Sequence, residues 1–135
     1  MKIRVYYEDT DCANVVYYAN YLKYMERSRT EFMREMGIDL VVYQKEGYHF
    51  AVIDTHLKYR ASAHYDDLLD VETTMIENSA ATITFSTVIR NESDQLLVKG
   101  EVVVAFVTPN GRAGRIPAEI IELLQRNSVD KLTAN

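Results

Sequence analysis

The stretch from residue 20 to residue 36 reads NYLKYMERSRTEFMREM, and its apolar side chains recur every three or four positions. That spacing predicts a single amphipathic helix. Asn20 suits the N-cap, and Gly37 suits the stop because glycine adopts the left-handed conformation in which helices commonly end. The recurring face is interpreted as core packing. It consists of Tyr21, Tyr24, Met25, Ser28, Phe32 and Met36.

The segments around this helix alternate with period two, which is typical of half-buried strands. Residues 2–7 predict a first strand, and the polar run at 8–11 then predicts a loop in which Asn14 tolerates positive φ. After the helix, a change of parity near Val52 predicts a β-bulge. Four strands are predicted there, at 48–60, 69–77, 81–90 and 96–107, before a short helix at 117–125.

The order of these elements predicts an α+β fold, in which an antiparallel sheet of five strands packs on one long helix. The chain has 135 residues and no repeats or linkers, so residues 1–135 are expected to form a single domain. One helix covers only one face of the sheet, which favours association with a second copy of the chain.

Composition narrows the class of protein. The net charge of -5 speaks against binding of nucleic acid or anionic lipid. No segment approaches the ~20 apolar residues of a membrane span or the apolar core of a signal peptide, so a cytoplasmic protein is expected. Cys12 is the single cysteine, which excludes an internal disulfide. The three histidines lack zinc-type spacing, and no metal site is predicted.

The segment from Tyr6 to Tyr21 carries the densest group of reactive side chains, with Asp9 and Asp11 shortly before the start of the helix. A helix start presents free backbone N–H groups and partial positive charge, which can stabilise an oxyanion. A carboxylate facing it can act as a base or a nucleophile. The plainer interpretation is that both aspartates are loop or capping residues. The residues by themselves leave both open.

This segment resembles the active-site segment of the 4-hydroxybenzoyl-CoA thioesterase family of hotdog proteins, including its Tol-Pal-associated branch of short-chain acyl-CoA thioesterases. Residues 20–29, 65–73 and 111–117 are also similar to that family. The resemblance implies a hotdog fold, with about five strands wrapped around one long central helix and a short C-terminal helix. It also implies hydrolysis of an acyl-CoA to acid and CoA without a cofactor, in a homodimer or homotetramer.

The same resemblance assigns roles to single residues. Asp11 matches the catalytic aspartate, which is a nucleophile or a general base, and the oxyanion donor is the backbone N–H at Tyr18. Tyr17 and Asn20 beside it are expected to contact the substrate. Because Tyr18 stands where the Tol-Pal branch usually has histidine and the other branch has tyrosine, short-chain and aromatic acyl groups both stay open.

The residues that bind the nucleotide are expected to differ from those of the 4-hydroxybenzoyl branch. That branch has basic residues in the turn at 77–81, and this chain has none there. Arg112 and Arg115 are the best candidates, and Lys58 and Arg60 are weaker ones, since guanidinium groups pair well with phosphate. Each of these side chains also has a plain interpretation as a solvated surface charge.

Alternatives remain at the level of the sequence. Cys12 is a rival nucleophile, although the neighbouring carboxylates disfavour its thiolate. Glu26 is a rival because another hotdog lineage places its catalytic carboxylate on this helix. Other functions are a hotdog dehydratase and a non-catalytic module that binds thioesters or acyl carrier protein. Whether CoA or a carrier protein bears the acyl group is open.

Overall fold

The computed structural model describes the backbone of residues 1–133 and the side chains of residues 1–126. The first half contains β1 (Lys2–Arg4), a 3₁₀ turn (Tyr7–Asp9), α1 (Asn20–Glu35) and α2 (Leu40–Lys45). The second half contains β2 (His49–Tyr59), β3 (Leu68–Asn78), β4 (Thr82–Arg90), β5 (Leu96–Val107) and α3 (Ala118–Thr133). No helix in the described part of the chain is long and apolar enough to cross a membrane.

The five strands form one antiparallel sheet in the order β1-β3-β4-β5-β2. This confirms the predicted sheet and leaves β2 at an edge. The pairing of β2 with β5 shifts register between Val52 and Asp54, where the parity change predicted a bulge. The extra residue is Ile53, which is 59% exposed.

Helix α1 packs on one face of this sheet and contacts β3 and β4. Its buried face includes Tyr21, Tyr24 and Met25, so the interpretation of the tyrosine and methionine face as core is confirmed. Strand β5 approaches the helix at Gly100, where an added Cβ would lie 2.6 Å from Met25 Cε. The absence of a side chain at Gly100 therefore lets the sheet wrap closely around α1.

A buried chain of hydroxyl groups ties α1 to the middle of the sheet. Ser28 Oγ on α1 donates to the Val71 carbonyl on β3 at 3.2 Å and lies 2.8 Å from Thr73 Oγ1. Thr73 Oγ1 lies 2.9 Å from Thr87 Oγ1 on β4. Because buried hydroxyls need partners, this chain favours one orientation of α1 on the sheet.

Two predictions about the N-terminal half are wrong. The first strand ends at Arg4 rather than at residue 7, because the Tyr6 N–H donates to the Asp9 carboxylate and the chain turns into the 3₁₀ segment. Asn20 is not the N-cap of α1, since that position belongs to Ala19. Instead, Asn20 Nδ2 donates to the Asp9 carbonyl at 2.8 Å. Gly37 ends the helix at φ 91°, as predicted.

The remaining differences concern short or terminal helices. Helix α2 was not predicted, although Asp39 caps it by accepting the N–H groups of Val41 and Val42. Helix α3 extends to Thr133 and is not short, because neither proline nor glycine follows Pro117 to end it.

Candidate active site

Asp11 lies in a tight loop that is fixed by backbone hydrogen bonds. Its N–H donates to the Val15 carbonyl at 2.9 Å, and its carbonyl accepts the Asn14 N–H at 3.0 Å. Asn14 has φ 64°, the left-handed conformation that asparagine tolerates. Val16 then donates to the Ala63 carbonyl at 2.9 Å. The loop is therefore held on the segment that follows β2.

The Asp11 carboxylate is half-buried and only partly used by this loop. Its Oδ1 accepts the Ala13 N–H at 2.8 Å. Its Oδ2 makes no hydrogen bond with any described residue. One carboxylate oxygen is thus oriented by the protein, and the other is available to a ligand.

Asp11 lines a groove of about 320 Å³, which we call the Asp11 groove. Two of the other predicted site residues, Tyr18 and Arg60, line it as well. Its further lining residues are Val15, Val16, Tyr21, Tyr59, Ala61 and Ser62. The structure therefore brings Asp11 of the loop and Tyr18 at the helix start, seven residues apart, together with the distant Arg60, which directly follows β2.

The backbone at Tyr18 immediately precedes α1. The Asn20 N–H donates to the Tyr17 carbonyl at 2.8 Å, and the Tyr59 hydroxyl donates to the Tyr18 carbonyl at 3.3 Å. The Tyr18 N–H itself has no acceptor among residues 1–133. A free donor at a helix start is suited to a developing negative charge on a ligand oxygen.

Aromatic side chains surround this donor. The ring centroids of Tyr17 and Tyr18 are 4.8 Å apart, and Tyr59 meets Tyr18 edge-on at 6.3 Å. The Tyr18 side chain, and to a smaller extent the Asp11 carboxylate, raise the pKa of Tyr17. Burial raises the pKa of Tyr59. Both shifts favour the neutral phenols of Tyr17 and Tyr59.

Asn20 and Asp9 form hydrogen bonds that hold the backbone before α1. The Asp9 carbonyl accepts the Tyr17 N–H at 2.9 Å and the Asn20 side chain at 2.8 Å, while the Asp9 carboxylate accepts the Tyr6 N–H at 2.8 Å. Asn20 does not line the Asp11 groove. These contacts tie the start of α1 to the loop and fix the distance between Asp11 and Tyr18.

The four predicted nucleotide-binding residues lie at two ends of the sheet. Arg60 is in the Asp11 groove, but the alternation of β2 turns Lys58 to the face opposite Tyr59. Arg112 and Arg115 are exposed near the Val107 end of β5, beyond the bridge from Val107 to Ala113. Because β2 has 11 residues, that end is about 30 Å from the Asp11 groove in the same chain.

The rival residues are also placed by the structure. Cys12 is exposed and does not line the Asp11 groove. Glu26 is exposed on α1 and accepts the Thr30 hydroxyl at 3.0 Å. Within the described residues, no group of three or more His, Cys, Asp and Glu side chains is arranged to hold a metal ion.

A second groove of about 450 Å³ lies at the opposite end of β2, between α1, α2 and the ends of β2 and β5. Aromatic rings dominate its wall, and Phe106 stacks on Tyr48 at 5.4 Å and contacts Phe50 at 5.2 Å. We call it the aromatic groove. Glu26 and Arg29 of α1 line it too. Sequence analysis did not predict this groove.

Comparison with known proteins decides the family. Residues 5–124 match the thioesterase-like superfamily. The chain belongs to that superfamily. The predicted relationship to hotdog thioesterases and the predicted class of thioester hydrolase are therefore confirmed.

Named proteins and a solved structure are similar to this chain over most of its length. The chain is 41% identical to the acyl-CoA thioesterase YbgC of Haemophilus influenzae over 107 residues, covering 78% of this chain and 77% of that protein. It is 36% identical to the acyl-CoA thioester hydrolase YbgC of Escherichia coli O157:H7, covering 79% and 80%. A crystal structure of 4-hydroxybenzoyl CoA thioesterase aligns with a TM-score of 0.84 at 22% identity, covering 92% of this chain and 96% of that one. The last likeness confirms the hotdog fold.

Proposed function

We propose that the protein is a cytoplasmic enzyme that hydrolyses the thioester of a short-chain or aromatic acyl-CoA, with Asp11 as nucleophile or general base. The names of the YbgC relatives support CoA as the thiol carrier. The observation that carries the proposal is that Asp11, with a free Oδ2, and Tyr18, with a free backbone N–H, line the same groove.

The chemistry follows from these two groups. As a base, Asp11 takes a proton from water while the resulting hydroxide adds to the thioester carbonyl carbon. As a nucleophile, its Oδ2 adds to that carbon directly, and water later cleaves the acyl anhydride. In both routes the carbonyl oxygen becomes an oxyanion that accepts the Tyr18 N–H. Collapse then expels the CoA thiolate, a good leaving group because an alkanethiol has a pKa near ~8.5.

The site is completed by a second copy of the chain in this proposal. Strand β2 is a long edge strand with exposed Val52 and Ile53, and such an edge favours pairing with another strand. Antiparallel pairing of two β2 edges places the His49 end of one copy beside the Tyr59 end of the other. A homodimer, or a homotetramer built from it, is the assembly that this edge supports.

The same pairing gives the distant arginines a role. Arg112 and Arg115 are about 30 Å from the Asp11 groove within one chain, at roughly 3.3 Å per strand residue. Across an antiparallel β2 pair, the arginines of one copy approach the Asp11 groove of the other. We propose that they bind the CoA phosphates there together with Arg60, since guanidinium groups donate paired hydrogen bonds to phosphate.

The test is thiol release from acetyl-, butyryl-, hexanoyl-, palmitoyl- and benzoyl-CoA by the wild type, Asp11→Asn and Cys12→Ser. We expect Asp11→Asn to lose about 10²–10⁴-fold in kcat, because a neutral amide neither accepts the proton nor attacks the carbonyl. Cys12→Ser is the matched control, since Cys12 is adjacent and outside the groove, and its rate should equal that of the wild type. The best substrate names the acyl class.

Two results would contradict the proposal. Equal rates for the wild type and a folded Asp11→Asn variant would remove Asp11 from the chemistry, and Glu26→Gln would be measured next. Hydrolysis of none of the five CoA esters would contradict CoA as the carrier and would favour an acyl carrier protein or a binding role.

A further inference from the structure

The aromatic groove contains a largely buried arginine that forms no ion pair within the described residues. Arg29 is 7% exposed, yet its guanidinium makes no hydrogen bond or ion pair with any residue whose side chain is described. Glu26, three residues earlier, is exposed and accepts the Thr30 hydroxyl, and its charge partly offsets the effect of burial on the pKa of Arg29 without forming an ion pair with it. The groove's other arginine, Arg34, pairs with Glu31.

An unpaired buried guanidinium is costly. Burial lowers the pKa of Arg29, which expresses the loss of water around its charge. Buried charges in folded proteins are normally paired or hydrogen-bonded, because the five N–H donors of an arginine otherwise lose solvent without compensation. Among the described residues, no Arg29 nitrogen is both sealed from solvent and unpartnered, so its donors remain open to a ligand in the groove.

The shape and lining of the groove indicate the rest of that ligand. Its volume of about 450 Å³ lies in the range of small-molecule sites, which are largely apolar with few polar groups. Its apolar wall comprises Met33, Tyr48, Phe50, Val52, Val104 and Phe106. A flexible hydrocarbon segment fits this wall, and an anionic end fits the arginine.

We propose that Arg29 is a specificity-determining residue that binds a carboxylate at the far end of the acyl group, so that the preferred substrates are CoA monothioesters of dicarboxylic acids. The inference rests on the proposed function, because the β2 pair is what places the aromatic groove of one copy beside the Asp11 groove of the other. A planar carboxylate accepts two parallel hydrogen bonds from a guanidinium, which gives direction as well as affinity.

The kinetic test compares adipoyl-CoA with hexanoyl-CoA, which have the same chain length and differ in the terminal carboxylate. Wild type is expected to have the higher kcat/KM for adipoyl-CoA. Arg29→Met should lower the ratio of the two kcat/KM values by about 10- to 100-fold, the usual range for a hydrogen-bonded charge. Arg29→Lys should restore part of it. Arg27→Met is the control, since Arg27 is exposed on the same helix and outside the groove.

A binding test separates this inference from the proposed hydrolysis. NMR titration with hexanoate and hexanamide uses neither Asp11 nor turnover. Hexanoate should bind wild type at least about tenfold more tightly than hexanamide, and Arg29→Met should remove the difference while Arg27→Met keeps it. If no ester is hydrolysed but this difference stands, the proposed function fails and the anion site survives.

The inference is overturned if wild type hydrolyses hexanoyl-CoA as well as adipoyl-CoA, or if hexanoate and hexanamide bind equally. Should Arg29→Met not fold, these two wild-type comparisons still decide the matter. An equal fall in both kcat/KM values for a folded Arg29→Met would also overturn it, because that pattern belongs to a purely structural arginine.

Discussion

The Asp11 groove and the aromatic groove lie at opposite ends of β2 and contain complementary chemical groups. The first has an available carboxylate oxygen and a free backbone donor, but it is small and open to solvent. The second has an apolar wall and a buried cation, and its one carboxylate among the described residues, Glu26, is exposed and accepts the Thr30 hydroxyl. Under the two proposals, the reactive groups and the acyl-binding groups are separated by one strand length within the chain, and a two-fold partner brings them together.

The largest expected effect comes from breaking the edge that would unite the two grooves. Ile53→Lys places a charge on the exposed bulge of β2, where a second β2 is proposed to pair. Burying an unpaired charge costs several kcal/mol, so we expect dissociation to monomers and a fall in kcat/KM of about 10²-fold or more. Light scattering and thiol release measure both.

Ile76→Lys is the matched control for that change. Ile76 is the bulge residue between Met75 and Glu77 on β3 and is 50% exposed, but it lies away from the proposed pairing edge because β4 and β5 separate β3 from β2. The control should keep its assembly and its rate. A monomeric Ile53→Lys that retains full activity would show that one chain contains the whole site.

A smaller effect is expected from loosening the Asp11 groove alone. Asn20→Ala removes the hydrogen bond to the Asp9 carbonyl, worth about 1 kcal/mol, and lets the loop move relative to α1. We expect kcat to fall by about three- to tenfold with little change in KM, because the substrate is bound by other residues. Asn78→Ala is the control, since Asn78 donates only to the adjacent Ser79 carbonyl at 3.4 Å. An unchanged kcat in Asn20→Ala would refute the positioning role.

The smallest effect concerns Tyr24, which lies beneath the loop and outside both grooves. Its buried hydroxyl has no hydrogen-bond partner of good geometry among the described residues, and burial together with the Asp9 carboxylate raises its pKa. Tyrosine in the unfolded chain ionises near pH ~10. Tyr24 therefore contributes stability that is present below that pH and is lost as the pH rises above it.

The Tyr24→Phe variant tests the direction of this pH dependence of stability. Near pH 7 the free energy of unfolding should change by about 1 kcal/mol or less, and above about pH 10 the variant should lose stability less steeply than wild type. Urea unfolding at the two pH values gives the difference. Tyr6→Phe, at an exposed tyrosine, should follow wild type at both. Parallel loss of stability in Tyr24→Phe and wild type would contradict the expected shift.

The parts of the fold that were predicted correctly are those with a long period in the sequence. The apolar face of α1 that carries Tyr21 and Met25 repeats over four turns. The bulge of β2 is visible in the sequence because the alternating pattern changes parity at Val52. Helix α2 has only six residues, LVVYQK, which is too short for a helical period to show. Its signal was local instead, in the capping residue Asp39 shortly after Gly37.

The candidate site also has a part that the sequence predicts and a part that it does not. Asp11 and Tyr18 are seven residues apart, so the turn at Asn14 and the start of α1 already imply that they lie close together. The distance from Arg112 to the Asp11 groove depends on strand order and was not visible in the sequence. Arg29 was missed because an arginine on a helix is usually solvated, whereas in the fold it lies in a groove with residues of α2, β2 and β5.

The hydroxyl chain between α1 and the sheet has a fixed direction of donation. Ser28 has one hydroxyl proton and gives it to the Val71 carbonyl, so Thr73 must donate to Ser28, and Thr87 must in turn donate to Thr73. The two threonine protons therefore point from β4 through β3 toward the helix, and the Ser28 proton returns to the Val71 carbonyl on β3. Rotation of α1 about its own axis would break the hydrogen bonds of Ser28 with the Val71 carbonyl and with the Thr73 hydroxyl together. The hydroxyl chain therefore restrains the rotation of α1 on the sheet.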